Sequence, residues 1–215
     1  MNLVCLDMEG VLTPEIWIAL AEETGIRELR RTTKEEPDYD KLMRGRLAIL
    51  KEHGIGLPGI QKVIGTVEPL PGAKEFLTEL RSFAQTVVLS DTFEEFAMPL
   101  IQKLGNPTIF CNSLEVADNG EITGYRMRAA HSKLSTVKAL QSVGIETIAA
   151  GDSFNDLEMI EASKAGFLFR TTDAIRKAYP HIPSFTEYGE LLSAIRGALQ
   201  KEGHFHSKQT DKTVK

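Results

Sequence analysis

Asn2-Leu3-Val4-Cys5-Leu6-Asp7-Met8-Glu9-Gly10-Val11-Leu12-Thr13 is an apolar run that stops at one acid and carries a second two positions on. Leu3 to Leu6 is short, continuous and apolar, which suits a strand covered on both faces, as in a parallel sheet. The carboxylates then sit at its carboxyl end, where open α/β sheets form their ligand crevice. Thr13-Pro14 follows as a helix start, with Thr as N-cap and Pro in the first helical position. Taken alone, the pair fits equally well a strand end with a solvated acid.

Outward from this stretch, Glu15 to Thr24 is apolar-rich and stops at Gly25, a helix with a glycine cap. Arg27 to Asp40 is densely charged and reads as a connector or solvated turn. Leu42, Met43, Leu47 and Leu50 share a helical face, and Ile60, Val63 and Ile64 begin a third short helix. Glu68-Pro69-Leu70-Pro71-Gly72 ends the pattern, because prolines two apart cannot lie inside a helix. Residues 14–70 are therefore expected to form a helical insertion after the first strand.

From Ala73 the pattern alternates. Ala73, Phe76, Leu77 and Leu80 mark a helix; Thr86 to Leu89 is a buried strand ending at Ser90-Asp91; Phe93 to Leu104 is helical. Thr108 to Cys111 is a strand, and Asp118-Asn119-Gly120 signals a hairpin between Leu114-Glu115-Val116 and Glu121-Ile122-Thr123. Leu134 to Val143 is a helix, Thr147 to Ala150 a strand running into Gly151-Asp152, Leu157 to Ala165 a helix, Phe167 to Phe169 a strand, and Tyr188 to Leu199 the last amphipathic helix. Repeated strand-helix units predict an α/β fold, a Rossmann-like mostly parallel sheet flanked by helices. The expected organisation is a core of 1–13 and 71–200, a small helical cap of 14–70, and a polar, disordered tail of 201–215. His204 and His206 in that tail have the spacing of a weak metal pair or of solvated tail residues.

At 215 residues and 42% hydrophobic, the chain can bury one good-sized core plus a small module. Its net charge of −5 and lack of a basic run argue against a nucleic-acid partner. Nothing resembles a leader or a membrane span, and Cys5 and Cys111 sit in apolar runs as buried, reduced thiols, so a cytoplasmic protein is expected.

Three predicted strands end alike, at Asp7, Ser90-Asp91 and Gly151-Asp152, and parallel strands bring such ends to one rim. Clustered carboxylates repel and take up protons unless a cation neutralises them. One or two carboxylates, waters and a substrate phosphate are the usual holders of Mg²⁺. Ser90 and Lys133 add a hydroxyl donor and a fixed positive charge for a phosphate.

With Asp7-Met8-Glu9-Gly10-Val11, Ser90, Lys133 and Gly151-Asp152-Ser153-Phe154-Asn155-Asp156 in that order, the chain resembles the haloacid dehalogenase superfamily of aspartate-nucleophile phosphatases. Within it the resemblance is to phosphoserine phosphatases, and more narrowly to the bacterial phosphoserine phosphatase/homoserine phosphotransferase group, whose first motif reads Asp-Met-Glu-Gly-Val-Leu-x-Pro-Glu-Ile-Trp. It extends over residues 1–199. The resemblance implies Asp7 as nucleophile and Glu9 as acid/base. It implies Mg²⁺ held by Asp7, the Glu9 carbonyl and Asp152, with Asp156 in support. Ser90, Lys133, Asn155 and the backbone N–H of Asp91 would hold phosphoryl oxygens. Glu15 would meet a substrate ammonium and Arg46 its carboxylate, although from the residues alone both also read as ordinary helix charges. O-Phosphoserine, with homoserine as acceptor, is the implied small-molecule substrate, and a homodimer is left open. Other small phosphate monoesters are the alternative substrates; a non-catalytic phospho-acceptor module is disfavoured by Glu9, which would keep turning the acyl phosphate over. Where most of the superfamily has Asp, this chain has Glu9. Trp17 is expected to pack, His131 to lie in a loop, Phe154 to pack under its loop, and Arg126 and Arg128 to form the hairpin's exposed face.

Overall fold

The computed structural model describes residues 1–32, 35, 36 and 38–200; the expected tail, with its two histidines, lies outside them. Five parallel strand pairs and one antiparallel pair build a seven-stranded sheet. In chain order the strands are β1 (Asn2–Leu6), β2 (Gln85–Phe93), β3 (Ile109–Val116), β4 (Ile122–Arg126), β5 (Glu146–Gly151), β6 (Ala165–Phe169) and β7 (Ser184–Phe185). They lie in the order β4-β3-β2-β1-β5-β6-β7, so β1 is central. Alternation along each buried strand feeds two cores. Val4, Leu6, Val88, Ile148, Ala150 and Phe169 join α4 (Ala73–Phe83), α5 (Glu94–Lys103) and α9 (Tyr188–Gln200) on one face. Cys5, Val87, Leu89, Ala149 and Leu168 join α6 (Ser132–Ser142), α7 (Leu157–Ala162) and α8 (Asp173–Ala178) on the other. This is the expected α/β architecture, with both sheet faces covered.

Between β1 and α4 lie α1 (Ile16–Thr24), a 3-10 turn (Arg27–Arg30), α2 (Tyr39–Glu52) and α3 (Leu57–Thr66). Leu20, Met43, Ile60 and Ile64 belong to the same hydrophobic cluster as Leu6, Leu77 and Phe96, so these helices share the main core. Trp17 packs as expected, edge-on to Phe96 with ring centroids 5.3 Å apart, and Gln61 donates to the carbonyl of Glu95 at 3.0 Å.

Several local expectations are corrected. Thr13 does not cap α1: its N–H goes to Met8 O at 3.0 Å and its carbonyl accepts from Gly10 N at 2.8 Å, closing a tight loop that delays the helix to Ile16. β2 continues past Ser90-Asp91 to Phe93 through a register shift against β3. α7 stops at Ala162, and β6 begins at Ala165 because Gly166 must pass Ile160: a Cβ there would meet its Cγ2 at 2.5 Å. α8 and β7 escape the periodicity, being six and two residues long. Phe154 is 60% exposed, since Ser153 and Asp156 close a reciprocal capping box that turns Asp156 inward and Phe154 out. Arg126 and Arg128 are both exposed, as expected, and Arg128 in addition reaches α6, donating to Ser132 O at 3.0 Å and Thr136 Oγ1 at 2.7 Å. Cys5 is buried and Cys111 only partly so; both are unpaired.

Candidate active site

The three acid-bearing strand ends belong to adjacent strands. Leu6 pairs with Val88 on one side and Ala150 on the other, and Asp7 N extends the ladder to Ala150 O at 2.9 Å. Asp7 and Asp152 therefore leave neighbouring strands together, with Asp156 one tight turn later. Oxygens of the three carboxylates lie within 4.8 Å of one another. Gly10, at φ +81°, lets the loop close over Asp152; a Cβ there would sit 2.4 Å from its carboxyl carbon.

Lys133, from the first turn of α6, joins the cluster. Its Nζ lies 2.7 Å from Asp7 Oδ1 and 2.6 Å from Asp156 Oδ1, all three side chains being buried. Burial opposes the lysine's charge, but Asp156 and Asp7 outweigh it and hold the ammonium protonated above its usual range. Burial, then the charge of Asp156, raises the Asp7 carboxyl well above its ordinary value, with Lys133 pulling the other way. Burial and Asp156 push Asp152 to about 7.

The two oxygens of Asp156 are both engaged: Oδ1 by Lys133, Oδ2 by the N–H groups of Asp152 and Ser153 at 3.0 Å each. Asp7 Oδ1 likewise accepts from Met8 N and Lys133 at 2.7 Å. Among the described residues, Asp7 Oδ2 and the Asp152 carboxylate accept nothing from another residue. Unengaged hard oxygens in a cluster that resists ionisation fit a divalent cation such as Mg²⁺, with Asp156 bracing the Asp152 loop.

Glu9 takes over the capping left undone by Thr13. Its Oε2 accepts from Ile16 N at 2.9 Å, at the positive end of α1. Burial, then the charge of Glu15, nevertheless raises Glu9 to about 8, so the carboxyl holds a proton at neutral pH. Glu15 is the residue before α1, close enough for its charge to act on Glu9. Arg46 of α2 is 7% exposed, bonded through one Nη to Arg31 O at 2.7 Å and lying 4.4 Å over the Trp17 ring. Among the described residues its Nε is buried without a partner; burial works against the guanidinium charge, while Tyr39, Glu9 and Glu15 favour it.

Ser90 is buried; its Oγ accepts from Thr92 N at 3.2 Å. Asp91 acts as a bracket: Oδ1 accepts from Ser132 Oγ at 2.6 Å, Oδ2 from Asn155 Nδ2 at 3.1 Å, and its carbonyl from Asn112 Nδ2 at 2.9 Å. Asn155, expected at a phosphoryl group, is thus tied to Asp91. Ser132, Asn112 and Arg128 support the site without carrying a motif of their own; the hydroxyl directly ahead of Lys133, at the first position of α6, was the available signal. His131 precedes α6 in a left-handed conformation, φ 47°, with Nδ1 3.1 Å from Glu158.

A protein from Pseudomonas aeruginosa named phosphoserine phosphatase ThrH is 48% identical over 191 residues, spanning 89% of this chain and 93% of that protein. A phosphoserine phosphatase from Pseudomonas syringae pv. tomato is 46% identical over 201 residues, spanning 94% of this chain and 85% of that one. A structure described as a phospho-aspartyl intermediate analogue of phosphoserine phosphatase superposes with a TM-score of 0.72 at 24% identity, over 90% of this chain and 98% of that one. Residues 1–164 match the family model of haloacid dehalogenase-like hydrolases, and with its site gathered at the central strand ends the chain belongs to that family.

Proposed function

We propose that the protein is a Mg²⁺-dependent phosphoserine phosphatase that works through an aspartyl phosphate and also transfers the phosphoryl group to homoserine. One observation carries this: a buried carboxylate, Asp7, is fixed by Lys133 beside a protonated acid, Glu9, with Glu15 just before α1 and Arg46 on α2 presenting opposite charges. A zwitterionic amino acid needs both signs, whereas a sugar phosphate needs neither.

Asp7 attacks phosphorus with a carboxylate oxygen while Lys133 holds the carboxylate in line. The P–O bond to the serine oxygen breaks, and that oxygen takes the proton held on Glu9. Glu9, now ionised, removes a proton from the water or alcohol that attacks the aspartyl phosphate, which restores both side chains. Lys133, the Ser90 hydroxyl, the Asp91 N–H and Asn155 hold the phosphoryl oxygens, the last from its contact with Asp91. Asp7, the Glu9 carbonyl and Asp152 would hold Mg²⁺, which when bound would neutralise charge on the transferring group. Residues 14–70 serve as a cap that keeps bulk water from the acyl phosphate. The two unpaired cysteines support a cytoplasmic setting.

The test is incubation with Mg²⁺ and a panel of phosphate monoesters, with and without homoserine, followed by identification of the phosphorylated and dephosphorylated products. O-Phosphoserine is expected to be turned over best, with homoserine phosphate formed when homoserine is present and Asp7→Asn inactive. Preference for a sugar phosphate or nucleotide, or an active Asp7→Asn, overturns the reading.

A further inference from the structure

The β3–β4 hairpin projects from the sheet edge, and its contacts run to the helices after β1. Tyr125 of β4 donates its hydroxyl to Asp40 Oδ1 at 2.7 Å, on the first turn of α2. At the other end of α2, Lys51 Nζ lies 2.8 Å from Glu121 Oε1, beside the hairpin turn. The turn itself accepts from the start of α3, Leu57 N to Gly120 O at 2.8 Å. Gly56 and Gly120 allow that approach: a Cβ on Gly56 would lie 2.6 Å from Gly120 O, and one on Gly120 would lie 3.1 Å from Pro58 Cδ. Two of the three contacts thus grip opposite ends of α2, and α2 carries Arg46.

Tyr125 also faces the other half of the site. Its ring meets Tyr39 of α2 edge-on, centroids 6.1 Å apart, and meets Phe93 of β2 at 5.9 Å. Phe93 ends the strand that bears Ser90 and Asp91. A single side chain therefore joins the strand holding the phosphate-facing serine to the helix holding the unpartnered guanidinium Nε. Burial, then the bond to Asp40, keeps the phenol protonated up to about 12, so it stays a donor throughout the working range.

We infer that the β3–β4 hairpin is a latch for α2, and that Tyr125, through Asp40, is a positioning residue that sets the distance between Arg46 and the phosphoryl site. The inference rests on the reading above in which Arg46 meets the substrate carboxylate. Loosening the latch lets α2 drift, which weakens recognition of the amino-acid end of the substrate and leaves the phosphoryl chemistry alone.

Tyr125→Phe removes only the hydroxyl and keeps the ring contacts. Asp40→Ala removes the acceptor; Asp40→Asn keeps an acceptor oxygen while losing the charge that also pairs with Arg44 at 2.7 Å. Steady-state kinetics are compared on O-phosphoserine and on ethyl phosphate, which lacks both the ammonium and the carboxylate. Tyr125→Phe and Asp40→Ala should raise KM for phosphoserine about five-fold, the usual weight of one hydrogen bond, with kcat within about two-fold. Asp40→Asn should keep the wild-type KM, and kcat/KM for ethyl phosphate should stay constant throughout. Hydrogen exchange along Tyr39–Glu52 should quicken in Tyr125→Phe. Equal losses on both substrates, or an unchanged KM for phosphoserine, overturn the latch; so does unchanged exchange in α2, a readout that needs no substrate. A wild-type enzyme that does not prefer phosphoserine to ethyl phosphate removes the substrate reading instead, and the exchange measurement then decides the latch by itself.

Discussion

Replacing Lys133 by Met is the most searching perturbation of this site. The ammonium lies 2.7 Å from Asp7 and 2.6 Å from Asp156, with side-chain exposures of 4%, 6% and 0% for the three groups. At an effective dielectric constant of about 20, each contact is worth about 6 kcal/mol of attraction. Desolvation of the charges offsets most of that, so the intact cluster contributes little net stability. Removing the cation alone is different, because two buried carboxylates are left with each other and Asp152. A loss of about 3–5 kcal/mol is expected, the usual cost of breaking a buried pair from one side. With a urea slope of about 3 kcal/mol/M, the midpoint falls by about 1–2 M. The pH dependence fixes the cause. Asp7 and Asp152 already have raised pKa values, Asp152 at about 7, and losing Lys133 raises them further. An acid raised in the folded state favours folding below its ordinary value, and that contribution is lost as pH climbs through the folded value. The deficit of Lys133→Met against wild type, measured by urea unfolding in EDTA, should therefore be largest near pH 8 and smaller near pH 5. Equal midpoints at pH 8, or a larger deficit at pH 5, would refute the reasoning.

Other outcomes follow from the same geometry. Glu9→Asp shortens an arm that now reaches Ile16 N at 2.9 Å, so the ratio of hydrolysis to transfer onto homoserine, read by product analysis, should change; an unaltered ratio disposes of any role for the extra methylene. Gly10→Ala forces a Cβ against Asp152 at a positive φ and should weaken Mg²⁺ binding by about ten-fold or more in isothermal titration calorimetry, with an unperturbed affinity counting against Asp152 as a ligand. Glu9, raised to about 8 by burial and Glu15, should make the metal-free protein less stable at pH 8.5 than at pH 6; in Glu9→Gln that difference should shrink, and a difference of full size would assign it elsewhere.

The alternation of strands and helices, the α/β class, the hairpin at Asp118-Asn119-Gly120 and the acids that close the central strands are all written along the chain. Those features are local: they depend on apolar runs of strand length, on helical periodicity and on turn chemistry, each legible within a dozen residues. Short elements such as Ser184–Phe185 carry too few residues to show a period. Which groups share a charge or a bond is settled by packing. Thr13 is the better N-cap on paper, yet the loop closed by Met8 and Gly10 consumes its backbone and hands the helix start to Glu9, seven residues before Ile16. Arg46 reads as a surface charge until Trp17 and Arg31 are folded against it. Tyr125 meets Asp40 across 85 residues of chain. Contacts of that span are selected by how helices and strands pack into one shared core, and no pattern along the chain encodes them one at a time.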